Sequence, residues 1–307
     1  MSELFGRAYR ISLGSVEIDN LSGTGLRVQF EVRRDKRGLG APNTATVSVY
    51  GLSEDTRQQL HDQAAGEWVS AAPTLAQKLV SIPQIFAPGI KCRIEAGWGD
   101  TVDQIYSGVL REVWSEKQGP EWITTATAAD GEKECKMAKI SKTWAMGTPL
   151  SQVFLELVNA LGIEVGNLLT APALMGPLAL PALPGAMTLK GYAAEEFDWL
   201  MKSCDLEWSI QDGALQVMQR GSAADFFLPA MSPVLAPDSG LIGGVRVDTK
   251  EVATGKALLI GGLIPGRAFR IDSDGCTGNF RCLETKHVGD SHAPGESWIV
   301  EFAGDPL

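Results

Sequence analysis

In LRVQFEVR, residues 26–33, the apolar residues Leu26, Val28, Phe30 and Val32 alternate with Arg27, Gln29, Glu31 and Arg33. A period of two sends successive side chains to opposite faces of a pleated backbone, so the segment predicts a half-buried strand. Similar patches at 45–50, 91–96, 104–114 and 122–128, punctuated by Gly and Pro, extend this to an antiparallel barrel or sandwich. Between them Ser53 is placed to cap a helix over 54–64, and 73–88 carries Leu75, Leu79, Ile82 and Ile85 at mixed spacing. Residues 53–88 therefore read as a helical insertion in a first β unit over 1–130.

The pattern then changes period. Thr148 is a candidate N-cap with Pro149 at the first helical position, and Val153, Phe154, Leu157, Val158 and Leu161 form one apolar stripe ending at Gly162. A second stripe, Phe197, Leu200, Met201 and Cys204, precedes LEWSIQDGALQVM, where Asp212-Gly213 predicts a tight hairpin turn. Residues 142–166 and 187–210 share the order strand, helix, strand, as a weak internal repeat or as two unrelated units. They define an α/β centre over 131–222. The stretch 167–189 has no charge, yet Pro172, Pro177, Pro181 and Pro184 would break any spanning helix, so it reads as an extended apolar loop.

From residue 223 strands return: GGVRVD, KALLIGG, GRAFRIDS, NFRCLETKHVG and SWIVEFAG are separated by Gly, Asp and Pro, and predict a second β unit over 223–307. The fold class is therefore α+β and β-dominated, with two β-rich halves flanking a small α/β centre. A length of 307 residues has room for two or three cores. The net charge of −10 argues against a nucleic-acid reader, which needs clustered Lys and Arg. It suits solubility, and also a wall past which a polyanion must slide without sticking. MSELFGRAYRISLG has no apolar core of signal-peptide length, which implies synthesis in the cytoplasm.

Catalytic chemistry finds few carriers. The five cysteines, Cys92, Cys135, Cys204, Cys276 and Cys282, form no CxxC pair and read as reduced thiols. The histidines are His61, His287 and His292. Cys282 and His287 invite a nucleophile–base reading, but an offset of five on a strand puts them on opposite faces, leaving a buried thiol and a polar surface histidine. Cys276, Cys282, His287 and His292 lack the paired spacing of structural zinc. Glu195 with Glu196, and Glu132 with Glu134, are carboxylate pairs of the type glycosidases use, in charge-rich surface contexts. No phosphate-binding glycine loop is present. The sequence thus predicts no enzyme, no catalytic, cofactor-binding or metal site, and no cofactor.

Junction phrases carry a resemblance. APNTATVSVYGLSEDTR (41–57), IEAGWGD (94–100), IYSGVLREVW (105–114) and WITTATAADG (122–131) occur in the first half; SGLIGG (239–244), KALLIGGLIPGRAFRIDS (256–273) and GNFRCLETKHVGDSHAPGESW (278–298) occur in the last third. In this order they resemble the central baseplate hub proteins of contractile phage tails, the late-control and type VI spike hub-like family. The resemblance implies two tube-protein-like β-barrels per chain in a homotrimer. Such a trimer adapts a sixfold tail tube or distal tube protein above to a threefold spike below, with wedge or tape-measure proteins as further neighbours. It implies a virion structural protein in the tail baseplate, lining a channel that DNA traverses without specific binding. The sequence departs from the family at 65–88 and 167–189, and no fused lysozyme or peptidase module is expected beyond Leu307. A tail-associated cell-wall hydrolase and a distal tail or tube-initiator protein are the alternatives.

Overall fold

The computed structural model describes residues 6–22, 25–36, 39, 43–70, 89–166, 182–223 and 232–307. The first third contains β1 (Arg7–Leu13), β2 (Val16–Asp19), β3 (Val28–Asp35), β4 (Asn43–Tyr50), β5 (Lys91–Trp98), β6 (Thr101–Gln118) and β7 (Glu121–Asp130). Helix α1 (Glu54–Ser70) follows β4, with the Ser53 hydroxyl accepting from the Thr56 amide at 3.1 Å as an N-cap does. The expected insertion at 71–88 lies outside the described residues.

The centre consists of α2 (Glu132–Met137), β8 (Lys139–Trp144), α3 (Leu150–Leu161), β9 (Glu164–Val165), β10 (Met187–Tyr192), α4 (Ala193–Ser203), β11 (Leu206–Gln211) and β12 (Ala214–Gln219). Both halves fold as strand, helix, strand. Strands β8 and β10 pair antiparallel, while β11 and β9 flank β12. The stripes of α3 and α4 meet in one core, where Phe197 lies 5.4 Å from Phe154 and edge-on to Trp208 at 5.1 Å. The cap of α3 differs by one residue from the expectation: Pro149 itself is the N-cap, and the Thr148 hydroxyl bonds back to the Ala145 carbonyl. Gly162 closes the helix in the left-handed conformation. Asp212 and Gly213 both have positive φ, as a two-residue hairpin turn requires. The apolar loop at 167–181 lies outside the described residues, and 187–189 belongs to β10.

The last third supplies β13 (Val234–Leu235), β14 (Leu241–Val247), β15 (Ala253–Leu258), β16 (Ala268–Ser273), β17 (Cys276–Asp290) and β18 (Trp298–Pro306). These strands and those of the first third form one sheet, ordered β14-β15-β18-β17-β3-β4-β7-β6-β5-β1-β2. The two β-rich parts are therefore joined edge to edge through the β17–β3 ladder.

The strand order repeats. The first part pairs β3 with β4, β4 with β7, β7 with β6 and β6 with β5; the last part pairs β14 with β15, β15 with β18, β18 with β17 and β17 with β16. The bulge of the long strand coincides as well. The β6–β7 ladder is bulged between Leu110 and Glu112, and the β17–β18 ladder between Cys282 and Glu284. In both repeats the long strand leaves one neighbour, β5 or β16, at its bulge and continues beside β7 or β18.

Directly opposed residues in an antiparallel ladder share a face. One transverse row, Leu241–Ala257–Val300–His287–Val32–Ala45–Ala128–Leu110, crosses eight strands, and every member is buried. The next row, Ile242–Lys256–Glu301–Lys286–Arg33–Thr44, lies on the opposite face. Both repeats therefore hold their cores on the same side of the sheet, and the other side is polar.

Trp298 of β18 crosses from the last part into the first core. It is 1% exposed, lies edge-on to Phe30 at 5.2 Å and donates its indole N–H to the Gly97 carbonyl at 3.0 Å. Trp298→Ala is expected to destabilise the chain by about 3–5 kcal/mol, the usual cost of a large aromatic-to-alanine cavity. Denaturant titration of variant and wild type measures it.

Candidate functional site

The sequence candidates for chemistry are dispersed. His61, on α1, shares a hydrogen bond with the Ser115 hydroxyl at 3.2 Å. His292 is exposed beside the Ser291 hydroxyl at 2.8 Å. Glu132 pairs with Arg111 at 2.7 Å and with Lys136 at 2.5 Å, and Glu134 follows on the same short helix. Glu195 and Glu196 lie in the first turn of α4. Among the described residues no three His, Cys, Asp or Glu side chains converge as metal ligands. No described helix is long and apolar enough to cross a membrane.

Cys282 and His287 correct the parity expectation. The bulge after Cys282 inserts one residue, so both side chains turn to the core face, and His287 is buried instead of lying on the surface. They do not meet: their partners Gly304 and Val300 are four residues apart on β18, roughly 13 Å of strand. Burial pushes the Cys282 thiol far up, which keeps it protonated. His287 is held down at about 3 by burial and by the charge of Arg34, against its 3.2 Å hydrogen bond to the Ile260 carbonyl. A carbonyl accepts, so the His287 Nε2 carries the proton and the ring is neutral.

What the fold brings together is a polar seam. The inward positions of three neighbouring strands run apolar and then end in a polar residue: Val28, Phe30, Val32, Arg34 on β3; Val49, Val47, Ala45, Asn43 on β4; Ala126, Ala128, Asp130 on β7. These endings fall at one end of the sheet, and the β11–β12 hairpin docks there. Arg34 donates to the Gln211 side chain at 3.1 Å, the Ile105 carbonyl at 2.7 Å and Asp212 at 2.7 Å. Asn43 donates to the Ile210 carbonyl at 2.8 Å and to Gln211 at 3.0 Å, while Gln211 donates to the Asp35 carbonyl at 2.8 Å. The amides of Ser107 and Gly213 donate to Asp212 and Asp130, at 3.0 and 2.9 Å.

At the other end of β11, Glu207 accepts from Lys36 at 2.9 Å and from Arg281 at 3.0 Å; Arg281 also forks onto Asp305 at 2.6 and 3.0 Å. One central strand is thereby tied to both repeats. The signal in the sequence is a charged residue in phase with a buried alternation, as Arg34 is with Val28, Phe30 and Val32; such a residue requires a partner from elsewhere in the chain.

The opposite, polar face of the sheet is the other extended feature. Its charges are matched: Lys286 meets Glu31 at 3.2 Å, Arg33 meets Glu31 at 2.7 Å and Lys256 meets Glu301 at 3.4 Å. A groove of about 520 Å³ runs along it over the junction of the two repeats, between Arg33, Lys286, Glu284 and Glu301.

With this geometry in hand, comparison with solved structures is informative. A 43 kDa tail protein of prophage MuSo2 from Shewanella oneidensis superposes with a TM-score of 0.60 at 8% identity, covering 98% of each chain. The chain has the fold of a phage tail protein. A tail protein from Neisseria meningitidis MC58 gives 0.58 at 11% identity, over 98% of this chain and 96% of that one. The E. coli c3393 protein gives 0.57 at 7% identity, over 97% of this chain and 76% of that one. It is a component of the type VI secretion system, with structural similarity to the T4 bacteriophage tail proteins gp27 and gp5. No family model and no curated protein matches the sequence.

Two outcomes follow for the seam. Arg34→Met leaves the partly buried Asp212 without its cation, and the Gln211 side chain and Ile105 carbonyl without their donor, and is expected to cost about 2–3 kcal/mol in chemical denaturation. Burial first, and the Asp212 charge second, raise Asp130 to about 7, against the Gly213 amide and the Arg34 charge. The unfolded carboxyl ionises near 3.8, so wild type loses stability as pH rises from about 4 to about 7, at up to about 1.4 kcal/mol per unit. Asp130→Asn removes that term. Unfolding curves of the two proteins across this range are expected to converge and then cross in favour of the variant; parallel curves refute the assignment.

Proposed function

We propose that this chain is a non-catalytic structural hub of a phage-type tail baseplate, acting as a homotrimer between a sixfold tube and a threefold spike. The observation that carries the reading is the repeat of strand order within one sheet. Each chain presents the same four-stranded block twice, β3-β4-β7-β6 and β14-β15-β18-β17, with both cores on one side. Three copies then present six blocks around an axis, the symmetry of a hexameric tube, while the single α/β centre per chain keeps threefold symmetry for a spike.

The domain division follows: a first tube-like β-barrel over 1–130, the α/β centre over 131–222 and a second tube-like β-barrel over 223–307. Separate hydrophobic clusters in the three parts support it. So do the long strands β6 and β17, which change partners midway and curve the sheet over its core. The polar face lines the channel. Its paired charges offer a passing phosphate backbone no basic stripe to hold it. A tail tube or distal tube protein sits above and a spike below, with wedge or tape-measure proteins as further neighbours. The chain is made in the host cytoplasm and resides in the virion tail.

Light scattering coupled to size exclusion is expected to give three times the chain mass, or three chains plus the spike when the spike is bound, and purified particles are expected to carry three copies. Six copies per particle would favour a tube-initiator protein, and a strictly monomeric mass in both settings would end the hub reading.

A further inference from the structure

The sheet has two unused edges within its eight-stranded run. Among the described residues β14 pairs with β15 alone, and the part of β6 beyond its bulge pairs only with β7. We propose that these two edges join between neighbouring copies, β6 of one to β14 of the next, in the register that sets Glu116 opposite Arg246. The proposal rests on the trimer reading and names the contact that holds the trimer.

The register comes from the repeat. Glu112 and Glu284 are the first paired residues after the two bulges, opposite Thr127 and Ala303. Thr127 faces Thr46 and Ala303 faces Thr254; Thr46 in turn faces Glu31, and Thr254 faces Arg246. Glu31 and Arg246 thus hold equivalent places, as do Val288 and Glu116, four residues beyond Glu284 and Glu112. Within the chain, Val288 is paired with Glu31 and His287 with Val32. Moved to the next junction of the ring, those pairs become Glu116–Arg246 and Ser115–Val247.

Three observations fit this register. It opposes an acid and a base that are both exposed, and Arg246 has no ion-pair partner among the described residues. Val32 is fully buried against β17, whereas its counterpart Val247, on the β14 edge, is 46% exposed and Trp114, on the β6 edge, is 40% exposed. Finally, the eight strands alternate in direction, so the two outer strands run oppositely and meet antiparallel when copies close into a ring. An open edge with apolar side chains is a template for another strand.

The test uses full-length chain with Cys135→Ser and Cys204→Ser, leaving the buried thiols in place. Glu116→Cys/Arg246→Cys and Ser115→Cys/Val247→Cys are oxidised and run on denaturing, non-reducing gels, with Trp114→Cys/Arg246→Cys as an off-register control. An interchain disulfide in at least one in-register pair and none in the control is expected. Glu116→Arg alone is expected to weaken the trimer on the order of tenfold, summed over three interfaces, and adding Arg246→Glu to restore it. A wild-type trimer whose in-register pairs both stay unlinked overturns the edge pairing and leaves the hub reading standing. A wild type that is monomeric, alone and with its spike, overturns the hub reading itself.

Discussion

The ladder between β3 and β17 is the constraint on which the rest of the architecture depends, because it makes one sheet of two repeats and fixes their relative facing. Its register forbids alternatives: a one-residue slip would send His287 and Val32 to the polar face and put Lys286 and Arg33 in the core. The ladder also sets local chemistry. Gly289 lies opposite Phe30, where an added Cβ would sit 2.2 Å from the ring, so only glycine lets the aromatic reach across the joint to Trp298. His287 sits in the same buried row, and its neutrality is the consequence of that burial, with Arg34 nearby, and not of a catalytic role.

The strands of the first third were legible because each obeys a simple alternation, and the α3 stripe and the Asp212-Gly213 turn were legible because their signals are local. The repeat was not. Its two copies agree in pairing and in the bulge of the long strand but not in side chains: Phe30 fills the first core, whereas the matching stretch of β14 is an irregular one carrying Gly243 and Gly244. Parity counting failed at Cys282 and His287 for a related reason, since a bulge adds a residue without leaving a mark in composition. The seam was half legible: Arg34 and Asp130 stand in inward phase, but the sequence does not name Asp212 or Gln211 as their partners.

The seam explains how one small α/β unit can be held at a fixed angle to a sheet it does not extend. Apolar packing alone is tolerant of rotation, whereas a guanidinium that must satisfy Gln211, Ile105 and Asp212 at once admits few orientations. Glu207 at the opposite end of β11 adds a second anchor, reaching one cation from each repeat. Two anchors about one strand-length apart define a direction. The same burial that fixes the unit raises Asp130, whose Oδ2 is buried with no hydrogen-bond partner among the described residues.

Fusing two repeats in one chain has a structural consequence that six separate copies could not give. Identical subunits must carry identical attachments, so a hexamer would have six α1 helices and six central units. Here α1 interrupts the first repeat between β4 and β5, while the corresponding connection from β15 to β16 is a short turn-rich link, and the centre is inserted only once, between the repeats. In the proposed trimer the backbone of the sheet would then approximate sixfold order on its polar face while everything attached to it would keep threefold order. The asymmetry resides in the connections and the regularity in the ladders, a division that would suit the proposed hub, whose two neighbours differ in symmetry.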